Sequence, residues 1–199
     1  DVEPTRSIRQ AEVGAVKTMI DRVRKTHDLK PERLIADTAY GSGPMLDWLV
    51  EKRGIAPHIP VIDKSGRKDG TFERADFTFD VENDLYICPG GKELKQYRRA
   101  YKTPRTGANK DETLRYRARK PDCDACPLKQ RCCPKEPQRK VTRSIFESSR
   151  DVARQLAQTK QYSVSCKLRK KVEMSFAHLK RIHGLGRLRL RGPCGAHDE

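Results

Sequence analysis

Glu173 is a carboxylate whose neighbours on a predicted helix suggest chemistry. It lies in 166–181, CKLRKKVEMSFAHLKR, where apolar residues at spacings of four, four and three predict one apolar stripe: Leu168, Val172, Phe176 and Leu179. Arg169 and Lys180 fall on a second stripe, together with Glu173. This pattern predicts a carboxylate held between cations at the edge of a core.

Chemistry that uses paired carboxylates needs a second acid, and Asp37 is in a suitable place. It follows RLIA at 33–36, a short apolar run typical of a buried strand, and precedes a loop that contains Gly41 and Gly43. Functional groups collect at the carboxyl ends of strands in parallel α/β sheets. Two plainer interpretations remain open. Asp37 could be a helix cap, and Glu173 could form an intrahelical pair with Arg169 on a solvated helix.

A second set of residues suited to chemistry is a group of cysteines. Cys123 and Cys126 form a Cys-x2-Cys pair, with Cys88 before it and Cys132 and Cys133 after it. Two thiolates on one tight turn suit Zn²⁺, which prefers four soft ligands in a tetrahedron. We expect Cys88, Cys123, Cys126 and Cys132 to converge as a structural zinc site, with Cys133 as a substitute. The alternative is a reduced, metal-free thiol cluster.

The elements that must position these residues follow from periodicity. A helix over 11–27, the strand over 33–36, a helix from Pro44 to Gly54 and a strand within 55–62 give the pattern of a parallel α/β sheet. Alternating apolar residues and turn signals then predict a hairpin near 77–87 and a strand over 113–118. The predicted organisation is α/β, with a β-rich, cysteine-containing insertion at 64–147 between core segments 1–63 and 148–199.

Composition points to a polyanionic partner. The net charge is +16, and it is unevenly distributed. Residues 1–63 carry ten Lys and Arg against ten Asp and Glu, residues 92–143 carry seventeen against six, and residues 166–192 carry nine against one. Lys and Arg set on phosphates release counterions, so this segregation favours nucleic acid over an acidic membrane surface. Tyr97, Tyr101 and Tyr116 interleave with the basic residues. Seven cysteines without a signal-peptide segment predict a cytoplasmic, reduced chain.

Several motifs together resemble one known family. Arg169, Glu173 and Lys180 match the R-(3)-E-(6)-K core of the signature around the last acid of bacterial insertion-sequence transposases of the DDE type. LRLRG at 188–192 follows it as in the IS1182-like group, and ADTAYGS, YICPGGK and the CxxCP segment are also similar to that group. The signature normally has Tyr three residues before the Arg, and this chain has Cys166 there.

The resemblance implies an RNase H-like catalytic core that cleaves DNA strands and joins them in transposition. It assigns the second acid of the site to Asp37 and the last acid to Glu173, with Arg169, Lys180 and Tyr40 as supporting or DNA-contacting residues. Two Mg²⁺ ions, or Mn²⁺, would bind the carboxylates and clamp the attacking and leaving oxygens. The implied partners are the insertion-sequence ends and target DNA in a bacterial nucleoid, with a homo-oligomer expected for the full-length protein.

The resemblance also implies a strand with a first Asp upstream of residue 1, and RGPCGAHDE at the other end resembles the middle of a longer motif. The sequence is therefore expected to be a fragment that does not cleave DNA by itself. The alternative function is a non-catalytic DNA-binding remnant with a structural cysteine–metal module.

Overall fold

The computed structural model describes residue 3, residues 11–63, 65–96 and 107–184, and residues 190, 192, 194 and 195. Two features noted in the sequence lie wholly or mostly outside these residues: Tyr97 with Tyr101, and the LRLRG stretch. The chain divides into two compact units, Asp1–Ile62 with Ser148–Glu199, and Asp63–Glu147.

The first unit contains a short parallel sheet and the helices that cover it. Its elements in chain order are α1 (Ala11–His27), β1 (Arg33–Ile35), α2 (Gly43–Asp47), β2 (Ala56–His58), α5 (Glu147–Ala157, which begins at the boundary) and α6 (Lys160–Ile182). A 3-10 turn, Thr38–Tyr40, follows β1, and α2 continues as a wider π-helical turn, Trp48–Arg53. The α/β expectation and the parallel pairing are confirmed, since β1 pairs with β2 in parallel, Leu34 opposite Pro57.

The core of the first unit forms where α1, α2 and α5 bury their apolar faces. Its fully buried residues are Met45, Leu46, Leu49, Ile55, Ile59 and Ala153, and Val13, Val16, Ile20 and Leu34 pack against them. Gly54 ends the helical segment after α2 with φ +60°, a left-handed conformation that favours glycine. Arg53 then donates from Nε and Nη2 to the two carboxylate oxygens of Asp21, at 2.7 and 2.8 Å, which ties this turn to α1.

The second unit is built from two small antiparallel sheets and two short helices. Strands β3 (Thr78–Asp80), β4 (Leu85–Ile87) and β5 (Glu93–Leu94) form one sheet, in which β3 and β4 make the predicted hairpin. The predicted strand near residue 113 is β6 (Thr113–Arg117), and it pairs with β7 (Lys140–Ser144). Between β6 and β7 lie α3 (Lys120–Asp124) and α4 (Lys129–Cys132).

A core of aromatic residues and thiols holds the second unit together. Its buried residues are Phe77, Tyr86, Leu94, Tyr116, Ala118, Cys123, Cys132, Cys133 and Val141. Tyr116 is fully buried, and its hydroxyl donates to Asp84 Oδ1 at 2.5 Å. Burial and this hydrogen bond raise the pKa of Tyr116 to about 12, so the ring stays neutral inside the core.

Candidate functional site

Asp37 lies directly after β1, where the sequence places it. Its backbone is extended, and its Oδ1 accepts a hydrogen bond of 2.8 Å from the N–H of Ala39, which caps the 3-10 turn. The side chain is exposed. Within the described part of the chain, Oδ2 has no hydrogen-bond partner. Asp37 is therefore a turn cap that still presents one carboxylate oxygen to solvent at the end of a parallel strand.

The loop after Asp37 is held by a close approach of two backbone segments. Gly41 is buried, and its carbonyl accepts from the N–H of Ile62 at 2.9 Å. A Cβ at position 41 would lie 1.9 Å from the carbonyl oxygen of Pro60. Only glycine fits there without movement of the backbone, so the loop is fixed against the segment that follows β2.

Tyr40 faces the core of the first unit more than solvent. The ring packs against the buried residues of that core. Burial, followed by the charges of Glu12 and Asp37, raises the pKa of Tyr40. In this arrangement the phenol helps to hold the loop that carries Asp37.

The first half of α6 is anchored on β2. His58 is 3% exposed, its Nδ1 lies 2.7 Å from Ser165 Oγ, and its ring stacks on Tyr162 with a centroid distance of 5.8 Å. Burial, with a smaller effect of Arg33, lowers the pKa of His58, so the imidazole is neutral. The sequence reasoning missed this pair, because a His and a Ser separated by more than a hundred residues give no local pattern.

Arg169 links the two predicted carboxylate positions. Its Nη1 donates to the carbonyl of Ala36, the residue before Asp37, at 3.3 Å, and its Nε lies 3.0 Å from Glu173 Oε1. The Nε contact is an ion pair without hydrogen-bond alignment, since this nitrogen makes no hydrogen bond. One guanidinium thus contacts both the end of β1 and the acid of α6. Lys180 lies exposed, two turns beyond Glu173.

The expected apolar stripe of α6 does not face a core. Leu168, Val172, Phe176 and Leu179 are 39%, 55%, 53% and 38% exposed. The contacts of α6 described above come from Tyr162 to Arg169, and the sheet beneath has only three residues per strand. The helix is 23 residues long, or about 34 Å at about 1.5 Å per residue, and outreaches a strand of about 10 Å. The expectation that Glu173 sits at a core edge is therefore wrong.

The cysteines of the second unit come together. Cys88, Cys123, Cys126, Cys132 and Cys133 all line one cavity of about 20 Å³. All seven cysteines of the chain are free thiols. Burial, then the neighbouring Cys133, raises the pKa of Cys132 to about 12, and burial also raises the pKa of Cys123. With the side chains as placed, no three His, Cys, Asp or Glu residues of the described ranges could hold a metal ion together.

A basic groove of about 580 Å³ also lies in the second unit, and it shares Cys132, Cys133 and Arg139 with the thiol cavity. Arg67, Lys135, Arg139 and Lys140 line it, together with Asp69 and Glu136. Part of its charge is compensated, because Lys140 pairs with Glu136 at 2.9 Å. Arg139 is 7% exposed. Nothing in the sequence singles out Arg139, since it is one cation in a basic run.

Comparison with known proteins gives a family for more than half of the chain. The family model described as "Transposase DDE domain" matches residues 87–198 of the 199. The matched segment includes Arg169, Glu173, Lys180 and the five clustered cysteines, whereas Asp37 lies before it. Searches of curated proteins and of solved structures gave no match. Among the described residues, no helix is long and apolar enough to cross a membrane.

Proposed function

Because this chain belongs to the transposase DDE domain family, we propose that it carries two acids of a metal-dependent DNA cleavage and strand-transfer site, Asp37 and Glu173. We place it in the IS1182-like group of insertion-sequence transposases, on the motifs ADTAYGS and R-(3)-E-(6)-K. On this proposal, β1, β2 and α6 are elements of an RNase H-like core, and DNA ends are the substrate.

The observation that carries the proposal is the double contact of Arg169. Its guanidinium contacts the carbonyl next to Asp37 and the carboxylate of Glu173. An arginine in this place contacts both the end of a strand and the face of a helix, and its charge attracts Glu173. The role of Arg169 is therefore positioning, and the role of the two acids is to hold metal.

The donor set fits Mg²⁺ or Mn²⁺. These ions prefer hard oxygen ligands and retain several waters. Asp37 offers an exposed carboxylate oxygen, and Glu173 is 59% exposed in spite of its ion pair. When bound, the metal supplies Lewis-acid stabilisation of the phosphoryl oxygens. The protein's own residues orient the carboxylates and, through Lys180 and neighbouring cations of α6, attract the phosphate backbone.

Metal binding by defined variants tests this proposal directly. We expect Asp37→Asn and Glu173→Gln each to weaken Mn²⁺ binding by at least about tenfold, measured by electron paramagnetic resonance. Loss of a residue that only supports a metal ligand already costs about tenfold in affinity, and loss of a ligand should cost no less. Glu51→Gln is the matched control, because Glu51 is also an exposed helical acid of the first unit. With ascorbate and hydrogen peroxide, hydroxyl radicals from Fe²⁺ bound in place of Mn²⁺ should cut the backbone near residues 37 and 173 in the unmodified and Glu51→Gln chains, but not in the Asp37→Asn and Glu173→Gln chains.

Unchanged Mn²⁺ affinity in folded Asp37→Asn and Glu173→Gln proteins would overturn the assignment of the two acids. The same two substitutions, made in a full-length transposase that also carries the first Asp of the site, should abolish cleavage of DNA that carries the element's ends while leaving DNA binding in place. Loss of DNA binding together with cleavage would contradict the assignment of these acids to chemistry.

A further inference from the structure

Three separate segments bring five thiols to one small cavity of the second unit. Cys88 follows β4, Cys123 and Cys126 lie at the end of α3, and Cys132 and Cys133 lie at the end of α4. The Cys-x2-Cys segment forms a tight turn, with the N–H of Cys126 donating to the carbonyl of Cys123 at 3.3 Å. A Cβ built on Gly90 would lie 3.5 Å from Cys126 Sγ and 3.6 Å from Cys88 Sγ. Gly90 therefore lies close to both of these sulfurs.

A backbone N–H group points at one of these sulfur atoms. The N–H of Lys92 donates to Cys88 Sγ at 3.3 Å, within a turn closed by the hydrogen bond from Cys88 N to Lys92 O at 2.9 Å. A donor aimed at sulfur stabilises negative charge on it, which a neutral thiol does not need.

A buried cation beside the cluster lacks a matching anion. The guanidinium of Arg139 is 7% exposed, donates to the carbonyls of Cys132 and Phe72 at 2.8 and 2.6 Å, and lies 5.0 Å above the ring of Phe77. Its Nε has no hydrogen-bond partner. No carboxylate of the described residues lies within ion-pair distance of it. Burying a charge without a counter-charge is costly, so the site favours negative charge near Arg139.

We propose that this thiol cluster is a structural site for a soft divalent cation of the Zn²⁺ class. Cys88, Cys123, Cys126 and one thiol of the vicinal pair, Cys132 or Cys133, supply four thiolates. A divalent ion with four thiolates carries a net charge of −2, which compensates Arg139 beside it. Four protons pass to solvent as four metal–sulfur bonds form, and no redox change occurs.

The cavity has the size that one ion needs. Its volume of about 20 Å³ exceeds the ~10–15 Å³ that a single water-sized particle occupies. The thiols line this space but do not converge on a single point, so metal binding draws their side chains inward. The site is independent of the proposed DNA chemistry, since it lies wholly within the second unit and contains neither Asp37 nor Glu173.

The first test is metal content and spectroscopy of the full 199-residue chain. Protein purified without chelator should contain about one equivalent of Zn²⁺ by mass spectrometry. Replacement by Co²⁺ should give the intense sulfur-to-metal charge-transfer absorption of a thiolate site. Cys123→Ser and Cys126→Ser should lose the metal, whereas Cys166→Ser and Cys194→Ser are matched controls that should keep it, because those thiols lie in the first unit.

The second test concerns Arg139. We expect Arg139→Ala to weaken Zn²⁺ binding, measured by competition with a chelating dye, by about 10- to 100-fold, and Arg139→Lys to weaken it less. Arg143→Ala is the control, since Arg143 lies over Phe79 and outside the residues that line the cavity. If the serine variants do not fold, the Co²⁺ spectrum of the unmodified chain decides. A folded chain that takes up neither Zn²⁺ nor Co²⁺, or serine variants that retain the metal, would overturn the proposal.

Discussion

At the scale of single residues, the junction between β2 and α6 depends on a neutral histidine. His58 is enclosed by Ser165 and Tyr162 of α6, and Arg33 is the charge that acts on it. Burial lowers the pKa of His58 because a charged imidazole would lose its hydration there. The imidazole of His58 therefore takes up a proton at a higher pH in the unfolded chain than in the folded chain.

This gives a prediction for the pH dependence of stability. As the pH falls below about 6.5, the unfolded chain binds a proton at His58 that the folded chain does not bind. The free energy of unfolding of the first unit should therefore fall between pH 7.5 and 5.5, by at most about 1.4 kcal/mol per pH unit from this group. His58→Gln should flatten the slope, measured by urea unfolding. His27→Gln, at an exposed position, should leave it unchanged, and equal slopes in all three proteins would contradict the prediction.

At the scale of elements, the loop between β1 and α2 packs closely against the segment after β2, because Gly41 has no side chain. Gly41 allows the backbone to approach Pro60, and the hydrogen bond from Ile62 closes the contact. The position of Asp37 depends on this loop, because its carboxylate caps the turn that leads into Gly41.

Two glycine substitutions should therefore have opposite effects. Gly41→Ala puts a Cβ in conflict with a backbone oxygen, and we expect a loss of about 1–3 kcal/mol or more in the free energy of unfolding. Gly14→Ala, at the fourth residue of α1 and with nothing within 4 Å of the added Cβ, should gain about 0.5–1 kcal/mol in the free energy of unfolding. Thermal unfolding of both variants measures this. A stable Gly41→Ala protein would show that the loop can shift without cost.

The helices and strands could be predicted from the sequence better than the tertiary contacts that those elements make. The period of α1 and the alternation of Phe77 and Phe79 with polar residues are visible in the sequence, because the apolar side of each element packs against a core. The apolar stripe of α6 has the same kind of period, yet its residues are exposed. Periodicity indicates that one face of a helix is apolar, but it does not indicate which other element packs against that face. In the same way, the Cys-x2-Cys spacing identified the thiol cluster, whereas Arg139 and the His58–Ser165 pair depend on the tertiary fold.

At the scale of the whole molecule, positive charge is the dominant feature. The net charge is +16, and the first 63 residues contribute none of it. The surplus lies in the second unit and in α6 with the residues after it. Charge of one sign on separate segments attracts a polyanion over several ångströms and is screened by salt.

We expect the chain to bind duplex DNA without marked sequence preference and with a steep dependence on salt. The logarithm of the association constant should fall with the logarithm of salt concentration, with a slope of about −0.9 for each phosphate contacted. Fluorescence anisotropy of a labelled duplex between low and physiological salt measures this. Lys180→Ala should reduce the slope by about one if Lys180 contacts a phosphate. Binding that does not change with salt, or no binding by folded protein, would contradict the charge argument.

Helix α6 is held in its first half and extends from there without further described contacts to the sheet, so it can act as a lever with a pivot near Ser165. Ser165 is held by His58, and Glu173 lies eight residues further along, about 12 Å by the helical rise. A tilt of about 10° at the pivot would displace Glu173 by about 2 Å, as much as a whole Mg²⁺–oxygen bond length. Beyond the pivot, Arg169 is the brace that contacts the strand. On the proposed function, contacts made on the exposed apolar side of this helix would change the separation of the two carboxylates, and the geometry of the metal site would then depend on contacts outside it.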